Sequence, residues 1–83
     1  MDTTRTQILS QFGKNVRQRR AELGISQEEL GYRVELDRTY ISGIERGVRN
    51  PTLIALISIA KGLDIPVSDL VLNLEVEAKI IDD

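Results

Sequence analysis

The sequence predicts an all-α fold, a compact bundle of five helices. Three observations support this prediction. The chain has 83 residues, of which 41% are apolar, enough for one small core. Apolar residues recur at spacings of three and four, which is the period of an amphipathic helix. Residues with the chemistry of helix caps and helix stops divide these stretches into five segments.

The first predicted helix spans residues 6–23. Its apolar positions lie on one face: Ile8, Phe12, Val16 and Leu23. Gly24 is a typical helix stop, because glycine readily adopts the left-handed conformation that ends helices. The second helix begins after Ser26 and extends to about Val34. Ser26 can cap it, and Glu29 completes a capping box.

A three-residue turn separates the second helix from the third, which spans residues 38–46 and ends at Gly47. Leu36 is predicted to fill the angle between the two helices. Asp37 is predicted to cap the third helix through the backbone amide of Thr39 or Tyr40. The inward-facing residues of this helix are Ile41 and Ile44. Two short helices in this arrangement form a helix-turn-helix, whose second helix enters the major groove of DNA.

The fourth helix is capped by Thr52 and ends at Gly62. Its predicted inner positions are Leu53, Leu56, Ile57 and Ala60. Pro66 opens a short fifth helix with Val67, Leu70 and Val71 as its apolar residues. We assign residues 1–71 to the helix-turn-helix domain and residues 72–83 to a C-terminal dimerisation segment or tail. Alternating polarity in this segment favours a strand, whereas its residue types and the spacing of positions 72, 76 and 80 favour a helix.

Charge is distributed unevenly along the chain, whose net charge is −2. Residues 1–63 carry ten Lys/Arg and seven Asp/Glu, a net +3, and residues 64–83 carry one Lys and six Asp/Glu, a net −5. This asymmetry fits a body that faces DNA and a C-terminal segment kept away from phosphates. An ordinary mixed surface with an acidic tail fits it equally.

Composition argues against several other classes of protein. The chain has no Cys and no His, which excludes disulfides, thiolate metal sites and the commonest metal ligand. Glu28 and Glu29 are adjacent, so they do not face each other on a helix as a catalytic pair would. We therefore expect neither an enzyme nor a cofactor. No apolar run approaches the roughly 18 residues of a membrane span, and the N-terminus is too polar for a signal peptide, so we expect a cytoplasmic protein with no membrane partner.

Several residues in register resemble the lambda-repressor/Cro-like helix-turn-helix family. They are Gly24, residues 26–30, Ile41, Ser42, residues 44–47, Asn50, Pro51 and Leu53. The match covers residues 12–70, and the stretch LDRTYISGIERGVRNPT is most similar to the controller proteins of bacterial restriction–modification systems. The resemblance implies a homodimer that binds palindromic operators in double-stranded DNA. Such proteins first activate and then repress their own gene and the endonuclease gene, which makes RNA polymerase a further candidate partner.

Predicted DNA contacts cluster around the third helix. The candidates for base contact are Arg38, Thr39, Tyr40, Ser42 and Gly43. Arg38 can pair with O6 and N7 of guanine, and the missing side chain of Gly43 suggests close approach of DNA backbone or of a neighbouring helix. The candidates for backbone contact are Gln27, Arg46, Arg49, Asn50 and Arg17. Gln27 resembles a phosphate clamp at a helix start, and Arg49 could instead enter the minor groove.

The resemblance also implies an ion pair between Arg20 and Glu45 that ties the first helix to the third. A two-fold dimer would place two recognition helices about 34 Å apart, one turn of DNA. The predicted dimer interface consists of Leu63, Ile65, Val67, Leu70, Val71 and Leu74; alternatively, Leu63, Val67 and Leu70 close the monomer core. A second hypothesis is an antitoxin-like interaction protein that masks a partner through the apolar stripe at residues 72–81.

Overall fold

The computed structural model describes residues 3–74, which form five α-helices. In chain order these are α1 (Thr3–Leu23), α2 (Gln27–Val34), α3 (Arg38–Glu45), α4 (Leu53–Gly62) and α5 (Val67–Leu70). Helix α1 packs on α3 and α5, α2 packs on α3 and α4, and α4 packs on α5. The prediction of an all-α, five-helix fold is confirmed for these residues. None of the helices in this part of the chain is long and apolar enough to cross a membrane.

The predicted caps are present at the starts of three helices. The N–H of Glu29 donates to Ser26 Oγ at 2.9 Å, that of Thr39 to Asp37 Oδ1 at 2.7 Å, and that of Ala55 to Thr52 Oγ1 at 3.0 Å. Each bond satisfies a backbone donor that has no partner within its own helix. Helix α1 begins at Thr3, earlier than the predicted residue 6.

Four helices end in the same hydrogen-bonded turn, in which a residue with positive φ follows the helix. These residues are Gly24 (φ 69°), Glu35 (φ 59°), Gly47 (φ 77°) and Asp64 (φ 58°). The next N–H then reaches back to a carbonyl in the last turn: Ile25 to Arg20 (3.2 Å), Leu36 to Gly31 (2.9 Å), Val48 to Gly43 (2.9 Å) and Ile65 to Ala60 (3.1 Å). The stops predicted at Gly24 and Gly47 have this form. In α4 the residue with positive φ is Asp64, whereas Gly62 is still helical.

One hydrophobic core joins the helices. Its buried residues are Phe12, Val16, Leu30, Ile41, Ile44, Ile59, Ala60, Leu63 and Leu70. Leu36 is half-buried and packs against this core from the turn between α2 and α3, where the sequence predicted it. The core therefore holds α3 from one side only and leaves its other side to solvent.

Helix α4 buries a different stripe from the predicted one. Ile59 and Ala60 are buried, with Leu56 half-buried, whereas three apolar side chains are exposed: Leu53 (70%), Ile54 (72%) and Ile57 (40%). The predicted inner positions Leu53 and Ile57 are therefore wrong. Seven of the ten residues of α4 are apolar, so two stripes with the same helical spacing exist and periodicity cannot choose between them.

Residues 71–74 continue beyond α5 without regular structure. Asn15 in α1 holds this end of the chain, because its Nδ2 donates to the carbonyl oxygens of Leu70 at 2.9 Å and Leu72 at 2.7 Å. Residues 75–83 lie outside the described residues. The predicted strand or helix after residue 72 and most of the apolar stripe at residues 72–81 fall there.

Candidate nucleic-acid interface

Helix α3 has an inner face and an outer face. Ile41 and Ile44 are fully buried on the inner face. Arg38 and Thr39 in the first turn are exposed, and Ser42 is half-buried. Tyr40 is half-buried because its ring packs against the core. The N-terminal turn thus presents two of the predicted base-contacting residues, Arg38 and Thr39, to solvent.

Asp37 fixes the start of this helix. Its carboxylate accepts a hydrogen bond from the backbone N–H of Thr39 at 2.7 Å. This bond, followed by one from the Thr39 side chain, lowers the pKa of Asp37 below its ordinary value of 3.8. The carboxylate is therefore charged at neutral pH, and its position at a helix N-terminus is favourable for an anion.

The ion pair between Arg20 and Glu45 is present and bidentate. Arg20 Nε donates to Glu45 Oε2 at 2.7 Å, and Arg20 Nη2 donates to Oε1 at 3.0 Å. The hydrogen bond to Glu45, helped by the charge of its carboxylate, raises the pKa of Arg20 despite partial burial. Only 3% of the Glu45 side chain is exposed. The pair joins the last turn of α1 to α3. A further bond from Arg20 Nη1 to the carbonyl of Ile25 (2.9 Å) reaches the segment just before α2.

Gln27 is held by the same carboxylate. Its Nε2 donates to Glu45 Oε1 at 3.0 Å, and the residue is half-buried at the first position of α2. The resemblance implied a DNA phosphate as the partner of this side chain, but in the free chain its amide nitrogen already donates to Glu45. One carboxylate therefore connects α1, α2 and α3, which fixes the angle between the two helices of the helix-turn-helix.

The remaining predicted backbone contacts are exposed. Arg46 and the loop residues Arg49 and Asn50 follow α3, and Arg17 lies on α1. Arg46 Nε makes a long hydrogen bond, 3.4 Å, to Ser42 Oγ. Within residues 3–74, no carboxylate forms an ion pair with these arginines or with Arg38. Their charges are available to phosphates.

Gly43 does not belong to the exposed set, and its assignment as a base contact is corrected. The residue is buried, and the side chain of Arg49 covers it. A Cβ at Gly43 would lie 2.6 Å from Arg49 Cγ. The missing side chain of Gly43 indicated close approach of a large group, and in the folded chain that group is the side chain of Arg49, in the loop after α3.

The predicted dimer interface also needs correction. Leu63 and Leu70 are fully buried in the monomer core, so neither is available to a second copy. The other four residues are half-buried and pack against the core: Ile65, Val67, Val71 and Leu74. The alternative that these positions close the monomer core is therefore correct for Leu63 and Leu70.

Two contacts of α1 were not predicted from the sequence, one with the end of α3 and one with the end of α4. Gly13 lies where α1 meets the end of α3, and a Cβ there would be 2.5 Å from the carbonyl oxygen of Ile44. A glycine next to Phe12 on the inner face of a long helix was the available signal. Arg19 Nε donates to the carbonyl of Leu63 at 2.9 Å, and no sequence pattern distinguishes this arginine from its exposed neighbours.

Comparisons with known proteins agree with this geometry. The family described as "Helix-turn-helix" matches residues 16–70. The chain is 41% identical over 71 residues to control protein C.MunI of a Mycoplasma species, which covers 84% of this chain and 96% of that protein. It is similar to the crystal structure of the restriction–modification controller protein C.AhdI from Aeromonas hydrophila, with a TM-score of 0.74 and 42% identity over 75% of this chain and 94% of the other.

A second solved structure is that of the controller protein C.Esp1396I, a tetramer in complex with its natural 35-base-pair operator. It has a TM-score of 0.73 and 41% identity, and the match covers 92% of this chain and 96% of that chain. On these matches, the chain belongs to the helix-turn-helix family, among the controller proteins of restriction–modification systems.

Proposed function

We propose that this chain is a sequence-specific DNA-binding transcriptional regulator that controls a restriction–modification system. The exposed start of α3 carries the proposal. Arg38 and Thr39 face solvent there, while the opposite side of the helix is held by the core and by Glu45. An α-helix fits the major groove of B-DNA, where each base pair presents a distinct pattern of donors and acceptors. The similarity to a controller protein that binds its operator supports the same role for this chain.

In this proposal the outer face of α3 reads bases. Arg38 pairs with O6 and N7 of a guanine, and Thr39 meets a neighbouring base. Tyr40 and Ser42 are half-buried, so they contribute through the exposed edge of the ring and through the hydroxyl. Arg38 is the main specificity determinant, because a bidentate arginine discriminates strongly between bases.

The residues around α3 hold the DNA backbone. Arg46, Arg49 and Asn50 lie just beyond the recognition helix, where they can follow a phosphate strand. Arg17 is a further exposed cation on α1. With its side chain bound to Glu45, Gln27 contributes its backbone N–H at the start of α2, a position that favours anions.

We further propose that two copies assemble through the exposed apolar stripe on α4. Leu53, Ile54 and Ile57 share one face of this helix, and each exposes a large part of its apolar side chain. A contiguous exposed apolar patch often marks an interaction site. Burial of such surface stabilises an interface by roughly 25 cal/mol per Å². In place of the buried Leu63 and Leu70, the half-buried residues Ile65, Val67, Val71 and Leu74 are further contacts in the proposed interface. A two-fold axis would present both α3 helices to successive major grooves.

Nothing on the described residues favours the alternative, an interaction protein that masks a partner. That hypothesis depends on the apolar stripe at residues 72–81, most of which lies outside the described residues. A dimerisation role for residues 72–83 and a contact with RNA polymerase remain predictions. The similarity to control proteins favours the regulator.

The division of roles can be tested by DNA binding. A duplex is first recovered from a random-sequence library with the wild-type protein, and variants with single base-pair changes are then compared. Arg38→Ala should cost about 1–3 kcal/mol of binding free energy and relax the preference at one position in each half-site. Arg46→Ala should weaken binding to every duplex alike. It should also reduce the slope of the logarithm of the binding constant against the logarithm of salt concentration by about 1 per subunit, the value for one lost phosphate contact.

Lys61→Ala, which removes an exposed cation from α4, is the control and should leave binding unchanged. If the Arg38 and Arg46 variants lost the same affinity on every duplex, the assignment of Arg38 to base reading would be refuted. A wild-type protein that recovered no preferred duplex would refute the proposed function itself.

A further inference from the structure

The chain reverses direction at the end of α3 and runs back along it. Gly47, with φ 77°, donates its N–H to the carbonyl of Ile44 at 3.0 Å, and Val48 donates to the carbonyl of Gly43 at 2.9 Å. Because both hydrogen bonds of this helix-ending turn are formed, the backbone leading into residue 49 has a fixed direction. It brings Arg49 alongside the last turn of the recognition helix.

The stem of Arg49 lies in a notch that exists only because residue 43 has no side chain. A Cβ on Gly43 would be 2.6 Å from Arg49 Cγ and 3.6 Å from both its Cβ and its Nε. Carbon atoms at 2.6 Å overlap, so any side chain at position 43 would occupy the volume that the Arg49 stem now fills. Arg49 in turn buries Gly43.

The guanidinium at the end of this stem lies over an aromatic ring. Arg49 Cζ is 5.2 Å from the centroid of Tyr40, within the range of a cation–π contact. Within residues 3–74 no carboxylate pairs with Arg49. Two contacts therefore limit the conformations of the long and otherwise exposed Arg49 side chain. Its methylene groups lie against Gly43, and its guanidinium lies over the ring of Tyr40.

We propose that Gly43 is a positioning residue for DNA binding: it provides the notch that holds Arg49 in place over Tyr40 before DNA arrives. The proposal rests on the proposed function, in which Arg49 contacts the DNA. Glycine is a poor residue for the interior of an exposed helix, and no backbone conformation requires it here, because Gly43 is not among the glycines with positive φ. Pre-ordering a side chain improves affinity because less conformational freedom is lost on binding.

A double-mutant cycle tests this inference. Gly43→Ala, Arg49→Ala and the double variant are compared with wild type on the duplex recovered with the wild-type protein. Alanine at position 43 should displace Arg49 and weaken binding by about tenfold, as expected for loss of a pre-ordered contact. In the Arg49→Ala background the same change should alter affinity less than about twofold, because non-additivity reveals that two residues act together. Equal losses in both backgrounds would overturn the proposal.

A second measurement needs no DNA. In the free protein, the ring current of Tyr40 should shift the Arg49 δ-methylene protons upfield in the NMR spectrum, and Tyr40→Leu provides the unshifted reference. Gly43→Ala should move these resonances to the Tyr40→Leu position while the thermal midpoint stays the same or rises, since alanine favours the helix. Unchanged Arg49 resonances would refute the positioning role. So would an unfolded Gly43→Ala protein, because glycine would then be needed for the fold rather than for Arg49.

The two measurements also separate this inference from the proposed function. If the wild-type protein recovered no preferred duplex, the proposed function would fail, while the NMR comparison would still decide whether Gly43 sets the position of Arg49. If the duplex were bound but the cycle were additive, the proposed function would stand and the role of Gly43 would be refuted.

Discussion

Asp37 is the residue whose charge state supports the start of α3. Hydrogen bonds from Thr39 lower the pKa of its carboxyl group below 3.8 in the folded chain. Above about pH 3.8 the carboxylate is charged in both folded and unfolded chains, so its contribution to stability is fully present. As the pH falls through the lower folded-state pKa, the carboxylate is protonated in the folded chain too and the contribution is lost.

Asp37→Asn isolates this effect, because asparagine is an equally good cap but does not titrate. The free energy of unfolding of wild type and variant would be measured by urea denaturation over a series of pH values. We expect their difference to be constant above about pH 3.8, the ordinary value for this carboxyl group, and to change in favour of the variant in more acidic solution. A difference that stayed constant throughout would mean that Asp37 does not titrate differently in the two states.

For individual residues, contacts between two side chains or caps were predicted, whereas the binding of one carboxylate by two side chains was not. The resemblance supplied the pair between Arg20 and Glu45, and cap chemistry supplied the bond from Thr39 to Asp37. The role of Gln27 could not be predicted, because a side-chain amide can donate to a phosphate or to a carboxylate. Only the folded chain shows that Glu45 lies 3.0 Å away.

Two of the four turns that end a helix have a residue other than glycine at positive φ, Asp64 after α4 and Glu35 after α2. The sequence did not predict this conformation for Glu35. Glu35 ends α2 with φ 59°, a conformation that costs an L-residue roughly 1–2 kcal/mol relative to glycine. The two equivalent positions after α1 and α3 are glycines, Gly24 and Gly47. The exposed Glu35 side chain makes no hydrogen bond within the described residues that would require a glutamate there.

Glu35→Gly should therefore stabilise the protein by about 0.5–1 kcal/mol, after allowance for the greater freedom of glycine in the unfolded chain. For a domain of this size, the thermal midpoint should rise by several degrees, at roughly 4–8 °C per kcal/mol. Gly47→Ala is the opposite control and should lower the midpoint, because alanine would have to adopt φ 77° and its Cβ would lie 3.0 Å from Ser10 Cα. A lower midpoint for Glu35→Gly would contradict the explanation.

The limits of element-level prediction are clearest in α4. Its start was predicted correctly from Thr52, since caps depend on local chemistry. Gly62 is its last helical residue, as predicted, but the turn that ends the helix forms at Asp64. The orientation of α4 was not predicted correctly, because Leu53, Ile54, Leu56, Ile57 and Ile59 offer two apolar stripes of the same spacing. Which stripe is buried depends on contacts with α2 and α5, and these are not local in sequence.

For the molecule as a whole, the interface proposed on α4 would link assembly to stability. A domain of this length buries only about 60% of the surface that its unfolded chain exposes, so it is marginally stable alone. If two folded copies associate through Leu53, Ile54 and Ile57, association stabilises the folded state by mass action. The apparent stability should then depend on protein concentration.

We expect the thermal midpoint of the wild-type protein to rise with protein concentration, and sedimentation to show a dimer. Ile54→Glu should abolish the concentration dependence and yield a monomer, since a charge would be buried at the interface. Tyr32→Glu is the matched control, because Tyr32 is an equally exposed large side chain on α2 outside the stripe, and this variant should behave as wild type. Concentration-independent unfolding of the wild-type protein would argue against the α4 interface.

The separation of the two faces of α3 bears on how such a protein acquires a new target sequence. The side chains that anchor the helix, Ile41, Ile44 and Glu45, are different from those that face outward at its first turn. Exchange of an exposed side chain usually changes the free energy of unfolding by less than about 0.5 kcal/mol. Arg38 and Thr39 can therefore vary between lineages at little risk to folding, so a regulator and its binding site can diverge together through a few codon changes.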